Sequence, residues 1–325
     1  MPASKLRVLI VGLGSIGRRH ADNLATLGAS LEAVSSRAEN AAPGRPLTLH
    51  RDYAQALKGR PDAVFIANPT SLHAEYAAAA LEAGCHVYLE KPAAVSAAQA
   101  APLAALARAR KRVLAVGCQW RFNPCLERVR QALSEGELGT ILSASATMGE
   151  YLPDYHPGED YRKGYAARKD LGGGVLLTQI HDFNYLAWLF GPFSTAYAVG
   201  GKVSSLELDV EDSVTALLKS RAGVPVSAHV DYIQRKKNRS LTIVGSEGTL
   251  VWDAFENRLD QGARSWAEGP LDRNAIFTAA VADFLACVKT GGRPRTSIED
   301  AIADLAIVDA VRQSMDTGRS VEVAA

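Results

Sequence analysis

Between an apolar run at residues 6–11 and a helix-length segment that starts at residue 16, Gly12, Gly14 and Gly17 spell Gly-x-Gly-x-x-Gly. A strand that turns directly into a helix through this spacing leaves few folds open. The first glycine permits the tight turn, the second lets backbone approach a pyrophosphate, and the third lets the helix pack close on the strand. The N–H groups at the start of the helix, here those of Ser15 and Ile16, then face an anion along the positive end of the helix dipole. Taken alone, the motif is a weak signal, and the alternative is a glycine-rich turn in a Rossmann-like fold that binds no nucleotide.

The chain that follows narrows the choice. Apolar runs at 31–35, 63–67, 86–89 and 113–116 alternate with helix-length segments, the pattern of a parallel sheet with crossover helices. The segment 16–27 stops at Gly28, 52–58 stops at Gly59, and Ser96 with Gln99 forms a capping box that opens a helix running to residue 110. The reading is an α/β chain whose N-terminal part is a doubly wound parallel sheet of the Rossmann type.

After Gly117 the texture changes. A helix over 124–134 and a strand-like stretch over 140–148 lead into a Tyr-, Pro- and Gly-rich loop that runs to Gly174, a length that marks a functional loop rather than a connector. One helix is expected over 175–190, and alternating segments at 214–218, 224–232 and 241–244 predict an open, mainly antiparallel sheet. Helices at 276–289 and 298–317 pack back on the first domain. The expected division is a dinucleotide-binding domain over 1–121 and an α/β substrate and oligomerisation domain over 122–325.

Lys plus Arg number 36 against 35 Asp plus Glu, so the chain as a whole has no electrostatic footprint for nucleic acid or an anionic membrane. The expected partner is a small molecule. Cys85, Cys118, Cys125 and Cys287 show neither metal-ligand spacing nor a disulfide framework. No metal is expected, and the opening residues lack the apolar region and cleavage site of a secretory signal. With no apolar run of membrane-spanning length, the expected location is the cytoplasm.

An NAD-binding strand of this kind ends in an acid that holds the ribose, but here it ends in Ser35, Ser36 and Arg37. Hydroxyls beside a guanidinium suit a 2′-phosphate, so the cofactor reading is NADP favoured over NAD. The alternative is that Arg37 is a solvated loop residue and that neither Glu32 nor Glu39 concerns the ribose.

Asn68, Pro69, Thr70 and His73 follow the 63–67 run, and Glu90-Lys91-Pro92 follows the 86–89 run. Carboxyl ends of strands border the ligand crevice of an open parallel sheet, so all of these are candidate cofactor contacts. Lys91 is also the candidate for proton transfer with a substrate hydroxyl. A surface lysine paired with Glu90 would read the same way. Gly172-Gly173-Gly174 leads into a helix with Thr178, His181, Asp182, Asn184 and Tyr185. His181 can donate to a developing alkoxide or exchange a proton, although a lone histidine on an apolar helix is more often a core residue. The basic run from Arg235 to Arg239 reads as the cap of a solvated hairpin.

Taken together, the glycine motif with Arg18-Arg19-His20, the Glu90-Lys91-Pro92 turn, Arg121-Phe122-Asn123-Pro124, the glycine run before His181, and Gly245-Ser246-Glu247-Gly248-Thr249 resemble the Gfo/Idh/MocA family of sugar and inositol oxidoreductases. The resemblance runs from about residue 6 to residue 323. It implies a Rossmann domain followed by an α/β domain whose open sheet borders the active site and often a subunit interface. It also implies catalytic roles for Lys91 and His181 on the substrate hydroxyl, and a homodimer or homotetramer built through the C-terminal sheet. Many members carry an aspartate three or four residues before the histidine, where this chain has Leu177 and Thr178. The segment from Tyr155 to Arg162, with Tyr165, is similar to a subgroup of bacterial surface-sugar pathways.

Arg121, Tyr161, Arg162, Tyr165, Thr178 and Asp182 are accordingly the candidate substrate contacts, with packing tyrosines and a structural ion pair at Arg162 as the alternative. The expected reaction is hydride transfer between nicotinamide and a secondary alcohol or ketone of a sugar, inositol or sugar derivative. Two alternatives remain open at this level: a lyase or glycoside-cleaving enzyme that oxidises its substrate only transiently, and a non-catalytic NADP-binding module.

Overall fold

The computed structural model describes residues 5–35, 47–267, 269 and 272–324. It divides into two compact units: Met1–Gln119 with Asn274–Ile302, and Trp120–Arg273 with Ala303–Ala325.

The first unit follows the chain as β1 (Arg7–Val11), α1 (Ser15–Thr26), β2 (Ser30–Val34), β3 (Thr48–His50), α2 (Tyr53–Lys58), β4 (Ala63–Ile66), α3 (His73–Glu82), β5 (His86–Leu89), α4 (Ala97–Arg110) and β6 (Leu114–Val116). The strands form one parallel sheet in the order β3-β2-β1-β4-β5-β6, and the sequence of strand addition switches to the other side of β1 at β4. Helices cover both faces of such a sheet, which explains why Val8, Leu9 and Ile10 are all fully buried and why β1 reads as an unbroken apolar run. The edge strand β3 is too short to stand out in the sequence. As the capping box requires, Ser96 Oγ accepts the N–H of Gln99 at 3.4 Å.

Part of the C-terminal half also belongs to this unit. Val281, Phe284, Leu285 and Cys287 pack in one cluster with Val8, Ile10, Phe65 and Tyr88. A division at residue 121 alone therefore leaves out the segment 274–302, whose apolar face completes the core of the parallel sheet.

The second unit contains α5 (Pro124–Ser134), β7 (Ile141–Gly149), α6 (Val175–Thr178), α7 (Ile180–Phe190), β8 (Phe193–Gly201), β9 (Ser213–Ser220), β10 (Pro225–Asp231), β11 (Asn238–Gly245), β12 (Gly248–Asp253), β13 (Arg258–Gln261) and β14 (Arg264–Ala267). The long helices α8 (Arg273–Thr290) and α9 (Ile298–Thr317) follow, and β15 (Val321–Glu322) closes the chain. Its sheet has nine strands in the order β14-β13-β12-β11-β7-β10-β9-β8-β15, antiparallel except for the β7–β10 pair. Alternation sorts the strands into two faces. On β7, Ala144, Ala146 and Met148 are buried, while Ser145 Oγ on the other face accepts from Ser227 Oγ at 3.0 Å. Trp252 lies at the centre of the core, edge-on to both Trp120 and Tyr185.

The single helix expected over 175–190 is broken at Gln179, which sits between α6 and α7 at φ −101° and ψ 27°. The loop from 150 to 174 is stitched by short 3₁₀ turns at Leu152–Asp154, Tyr161–Lys163, Tyr165–Ala167 and Lys169–Leu171. Among the described residues no helix is long and apolar enough to cross a membrane. The four cysteines are buried free thiols.

Candidate functional site

In the first unit the carboxyl ends of three neighbouring strands lie in the order β1, β4, β5, and each carries one expected segment: Gly12 to Gly17, Asn68 to His73, and Glu90 to Pro92. Gly12 has φ +90°, and a Cβ there would lie 2.8 Å from the carbonyl oxygen of Ala67. A Cβ at Gly17 would fall 1.9 Å from the carbonyl oxygen of Gly12, so this glycine lets α1 settle onto the turn. Gly14 differs from both, since a Cβ on it would meet nothing within 4 Å. It is the N-cap of α1, it supplies no side-chain cap, and both it and Ser15 are exposed. The first-turn N–H groups, including those of Ser15 and Ile16, are thus left for an external acceptor.

Beside this cradle the amide of Asn68 has both Nδ2 and Oδ1 buried without a hydrogen-bond partner among the described residues. Orphaned polar atoms of this kind are costly unless a ligand completes them. These features fit a dinucleotide, with its pyrophosphate on α1 and further contact at Asn68. Pro69 is half-buried and Thr70 is buried at the start of the turn that leads into α3. Ser36 and Arg37 lie outside the described residues.

Two expected cofactor contacts are placed elsewhere. His73 is 1% exposed; its Nδ1 is 2.7 Å from the carbonyl oxygen of Pro92 and its Nε2 is 3.0 Å from that of Asn68. Burial holds its pKa below the usual 6.5, against the pull of these two carbonyls and of Glu90. Glu90 is also buried: its Oε1 is 2.6 Å from His20 Nε2, and its Oε2 accepts the backbone N–H of Lys91 at 3.2 Å. Both side chains brace the turn from inside the protein, because their polar atoms are already engaged by protein groups. Lys91 itself is only partly buried at the head of the turn, joined to Pro92 by a cis peptide bond.

In the second unit, α7 carries His181 in its first turn, 5% exposed. Gln179 and Asp182, its neighbours in sequence, belong to one largely buried polar chain. Gln179 Nε2 donates to Tyr155 Oη at 2.7 Å, and Arg239 Nη2 donates to Gln179 Oε1 at 2.7 Å. The same guanidinium lies 3.2 Å from Asp182 Oδ2, and the other carboxylate oxygen accepts from the hydroxyl of Tyr185. Arg239 also stacks 4.6 Å over the ring of Trp120. The Arg239–Asp182 contact is an ion pair rather than an aligned hydrogen bond, the N–H of Nη2 being aimed at Gln179. Burial raises the pKa of Asp182, opposed by the charge of Arg239 and the hydrogen bond from Tyr185.

This arrangement corrects two readings. Asp182, expected at the substrate, is 1% exposed and committed to Arg239 and Tyr185. Arg239, expected on a solvated hairpin, is 4% exposed. On β11 it has the same parity as Leu241 and Ile243, which also face the core, so a period of two would have found it. Thr178, one of the two positions at which the family resemblance leads one to expect an aspartate, is buried and its Oγ1 accepts from Tyr232 Oη at 2.6 Å.

The remaining substrate candidates separate clearly. Arg121 is 4% exposed, and its Nε donates to Asn184 Oδ1 at 3.0 Å, while Asn184 Nδ2 donates to Asp304 at 2.6 Å, so Arg121 braces α7. Arg162 is held by Asp160 at 2.8 Å and by Glu207 at 3.3 Å. The hydroxyl of Tyr161 accepts the N–H of Glu207 at 3.0 Å. Tyr165 is half-buried, and its hydroxyl has no hydrogen-bond partner among the described residues.

Comparison with known proteins agrees with this architecture. Residues 6–118 match the oxidoreductase family with an NAD-binding Rossmann fold, and residues 126–251 match the GFO/IDH/MocA C-terminal domain. D-apiose dehydrogenase of Paraburkholderia graminis is 30% identical over 227 residues, covering 63% of this chain and 57% of that protein. The 1,5-anhydro-D-fructose reductase of Ensifer adhaerens is 26% identical over 203 residues, covering 60% of each. These matches span less than two thirds of either relative. Among solved structures, levoglucosan dehydrogenase in complex with NADH and levoglucosan superposes with a TM-score of 0.89 at 22% identity, over 99% of this chain and 100% of that one. Myo-inositol 2-dehydrogenase from Lactobacillus plantarum does so with a TM-score of 0.85 at 22% identity, again over 99% and 100%. At these identities the superpositions speak for the fold, and the two family matches, one in each half and together covering most of the chain, show that it belongs to the Gfo/Idh/MocA oxidoreductase family.

Proposed function

We propose that the protein is a nicotinamide-dependent oxidoreductase that interconverts a secondary alcohol and a ketone on a sugar, inositol or sugar derivative. The observation that carries this reading is the cradle of Gly12, Gly14 and Asn68 on β1 and β4, with Lys91 at the end of the adjoining strand β5. A nicotinamide dinucleotide, when bound, supplies the hydride acceptor or donor. Lys91 takes or returns the hydroxyl proton. His181 donates a hydrogen bond to the same oxygen, on a helix whose first turn is fixed through Asp182 and Arg239, and Tyr165 offers its hydroxyl to the polyol. Relatives named for D-apiose, 1,5-anhydro-D-fructose, levoglucosan and myo-inositol support a polyhydroxylated substrate.

The cofactor we infer is NADP in preference to NAD. Glu32, the acid on β2, is occupied: its Oε1 is 2.8 Å from Arg7 Nη2 and its Oε2 is 2.7 Å from His50 Nε2. With that acid engaged, the reading rests on the sequence Ser35-Ser36-Arg37, whose hydroxyls and guanidinium suit a 2′-phosphate. We further infer a homodimer or homotetramer through the open sheet, where Tyr197 of β8 pairs directly with Leu217 of β9 and these side chains, with Val199, are 40%, 57% and 56% exposed. The test of the activity is a screen of myo-inositol, levoglucosan, D-apiose and 1,5-anhydro-D-fructose with each dinucleotide, read as reduced-nicotinamide absorbance in both directions. Turnover of at least one is expected. A dinucleotide that copurifies and is never consumed with any sugar would move the reading to transient oxidation without net redox change.

A further inference from the structure

The Glu90-Lys91-Pro92 turn is gripped from two sides by buried histidines, each of which comes from a segment of the dinucleotide cradle. His20, on α1, is fully buried among the rings of Phe65, Tyr88 and Phe277. Its Nε2 lies 2.6 Å from Glu90 Oε1; a carboxylate accepts, so Nε2 carries the hydrogen. Nδ1 has no partner among the described residues, which leaves Glu90 as the polar tie of this side chain. An aliphatic or aromatic residue would fill such a box with less desolvation cost. What histidine adds is a hold on the carboxylate.

Glu90 passes that hold to Lys91, since its second oxygen accepts the Lys91 N–H at 3.2 Å. Gly117, directly after β6, leaves the space for it: a Cβ there would lie 2.8 Å from Oε1 and 3.2 Å from Oε2. On the far side of the turn, His73 Nδ1 lies 2.7 Å from the Pro92 carbonyl oxygen while its Nε2 lies 3.0 Å from that of Asn68. The backbone that carries Lys91 is therefore tied to α1 through Glu90 and, by the contact of His73 Nδ1 with the Pro92 carbonyl, to the segment that follows Asn68.

We propose that His20 and His73 are positioning residues that set the backbone of Lys91 from the two segments on which the dinucleotide rests. A lysine side chain is flexible, so the placement of its ammonium depends on a fixed backbone, and an error of about 1 Å in a reacting group can cost roughly 10²-fold in rate. The proposal rests on the reading of Lys91 as the proton-transfer residue.

The test uses the full-length protein with His20→Leu, His20→Gln and Glu90→Gln. His20→Leu should lower kcat by roughly 10- to 100-fold on whichever sugar of the screen is turned over, with sugar KM and NADPH affinity within about threefold of wild type. In His20→Gln the amide can still donate to Glu90, and most of that loss should be recovered; a merely structural role would not distinguish the two. A second readout needs no substrate. In reductively ¹³C-methylated protein, with Lys91→Ala to assign the signal, the Lys91 resonance should stand apart in wild type and move toward the exposed lysines in His20→Leu and Glu90→Gln. If His20→Leu does not fold, Glu90→Gln carries the same test. Unchanged kcat together with an unmoved resonance in the folded variants would overturn the proposal while leaving the oxidoreductase reading intact. If wild type turns over no sugar, the resonance alone decides the positioning role.

Discussion

Arg239, on β11, lies 3.2 Å from Asp182, on α7, and both side chains are almost completely buried. The ion pair fastens the first turn of the helix that carries His181 to the sheet beneath it. Removing one partner leaves an uncompensated buried charge, a loss of about 3–5 kcal/mol where such pairs have been broken. Arg239→Ala should therefore lower the denaturation midpoint strongly, and Arg239→Met combined with Asp182→Asn should be milder, since no lone charge remains. Denaturant titration of the single and double variants checks this. A single variant within about 1 kcal/mol of wild type would show that the pair does not anchor the helix.

Lys91→Ala should lower kcat by roughly 10²- to 10⁴-fold, the usual loss for a general acid or base, with dinucleotide affinity nearly unchanged. The affinity should hold because Gly14, the first turn of α1 and Asn68 are untouched. Steady-state kinetics with fluorescence titration of NADPH separates the two effects. A variant within about threefold of wild-type kcat would remove Lys91 from the chemistry.

How much of this was legible in the sequence depended on whether a feature was local. The turn at Gly12 to Gly17, the cap at Ser96 and the alternation of β9 and β11 are each set by neighbours in the chain, and they read directly. His20 and Glu90 are 70 residues apart, and Gln179 and Arg239 are 60, so no periodicity links them. The same limit misassigned Arg121 and Asp182. An arginine or aspartate looks available for a ligand until the fold supplies a distant residue such as Asn184 or Arg239 as its partner. Arg162 is held by Asp160, two residues away, the local ion pair that the sequence left open as the alternative. The break at Gln179 was hidden because a helix interrupted at one residue keeps its apolar pattern on both sides.

For the cofactor, Glu32→Ala should leave the preference between NADPH and NADH unchanged, because this carboxylate is already bound to Arg7 and His50. Arg37→Ala should remove most of an NADPH preference of roughly ten- to a hundredfold, the worth of a charge-assisted hydrogen bond of about 1.5–3 kcal/mol. Calorimetry with both dinucleotides measures this. Equal affinities in wild type would overturn the assignment.

His181 has no carboxylate on the preceding turn, where Thr178 instead accepts from Tyr232, and Asp182 is turned to Arg239 and Tyr185. His181 is therefore expected to act as a hydrogen-bond donor, with Lys91 carrying the proton. His181→Asn keeps a donor of similar reach and should retain much more activity than His181→Ala. Equal, near-complete loss in both variants would mean that the imidazole must change protonation state during turnover.

His73 makes the stability of the fold depend on pH. Burial holds its folded-state pKa below the 6.5 of an unfolded histidine, with Lys91 acting in the same direction and the carbonyls of Pro92 and Asn68 and the charge of Glu90 acting against it. Between the two pKa values the unfolded chain binds more protons than the folded one. Stability therefore rises with pH across this window, is complete above 6.5, and is lost as pH falls through the folded-state pKa, by at most about 1.4 kcal/mol per pH unit for one group. His86 shifts in the same direction, through burial and then Arg112, so wild type alone cannot isolate the effect. His73→Gln cannot titrate and keeps a donor toward Pro92. Urea unfolding of wild type and His73→Gln between about pH 5 and 7.5 should give curves that converge toward the acid side, the wild type losing the stability that the variant never had. Curves that stay parallel through that range would show that His73 titrates alike in the folded and unfolded chains, and that its two carbonyl contacts cancel the cost of its burial.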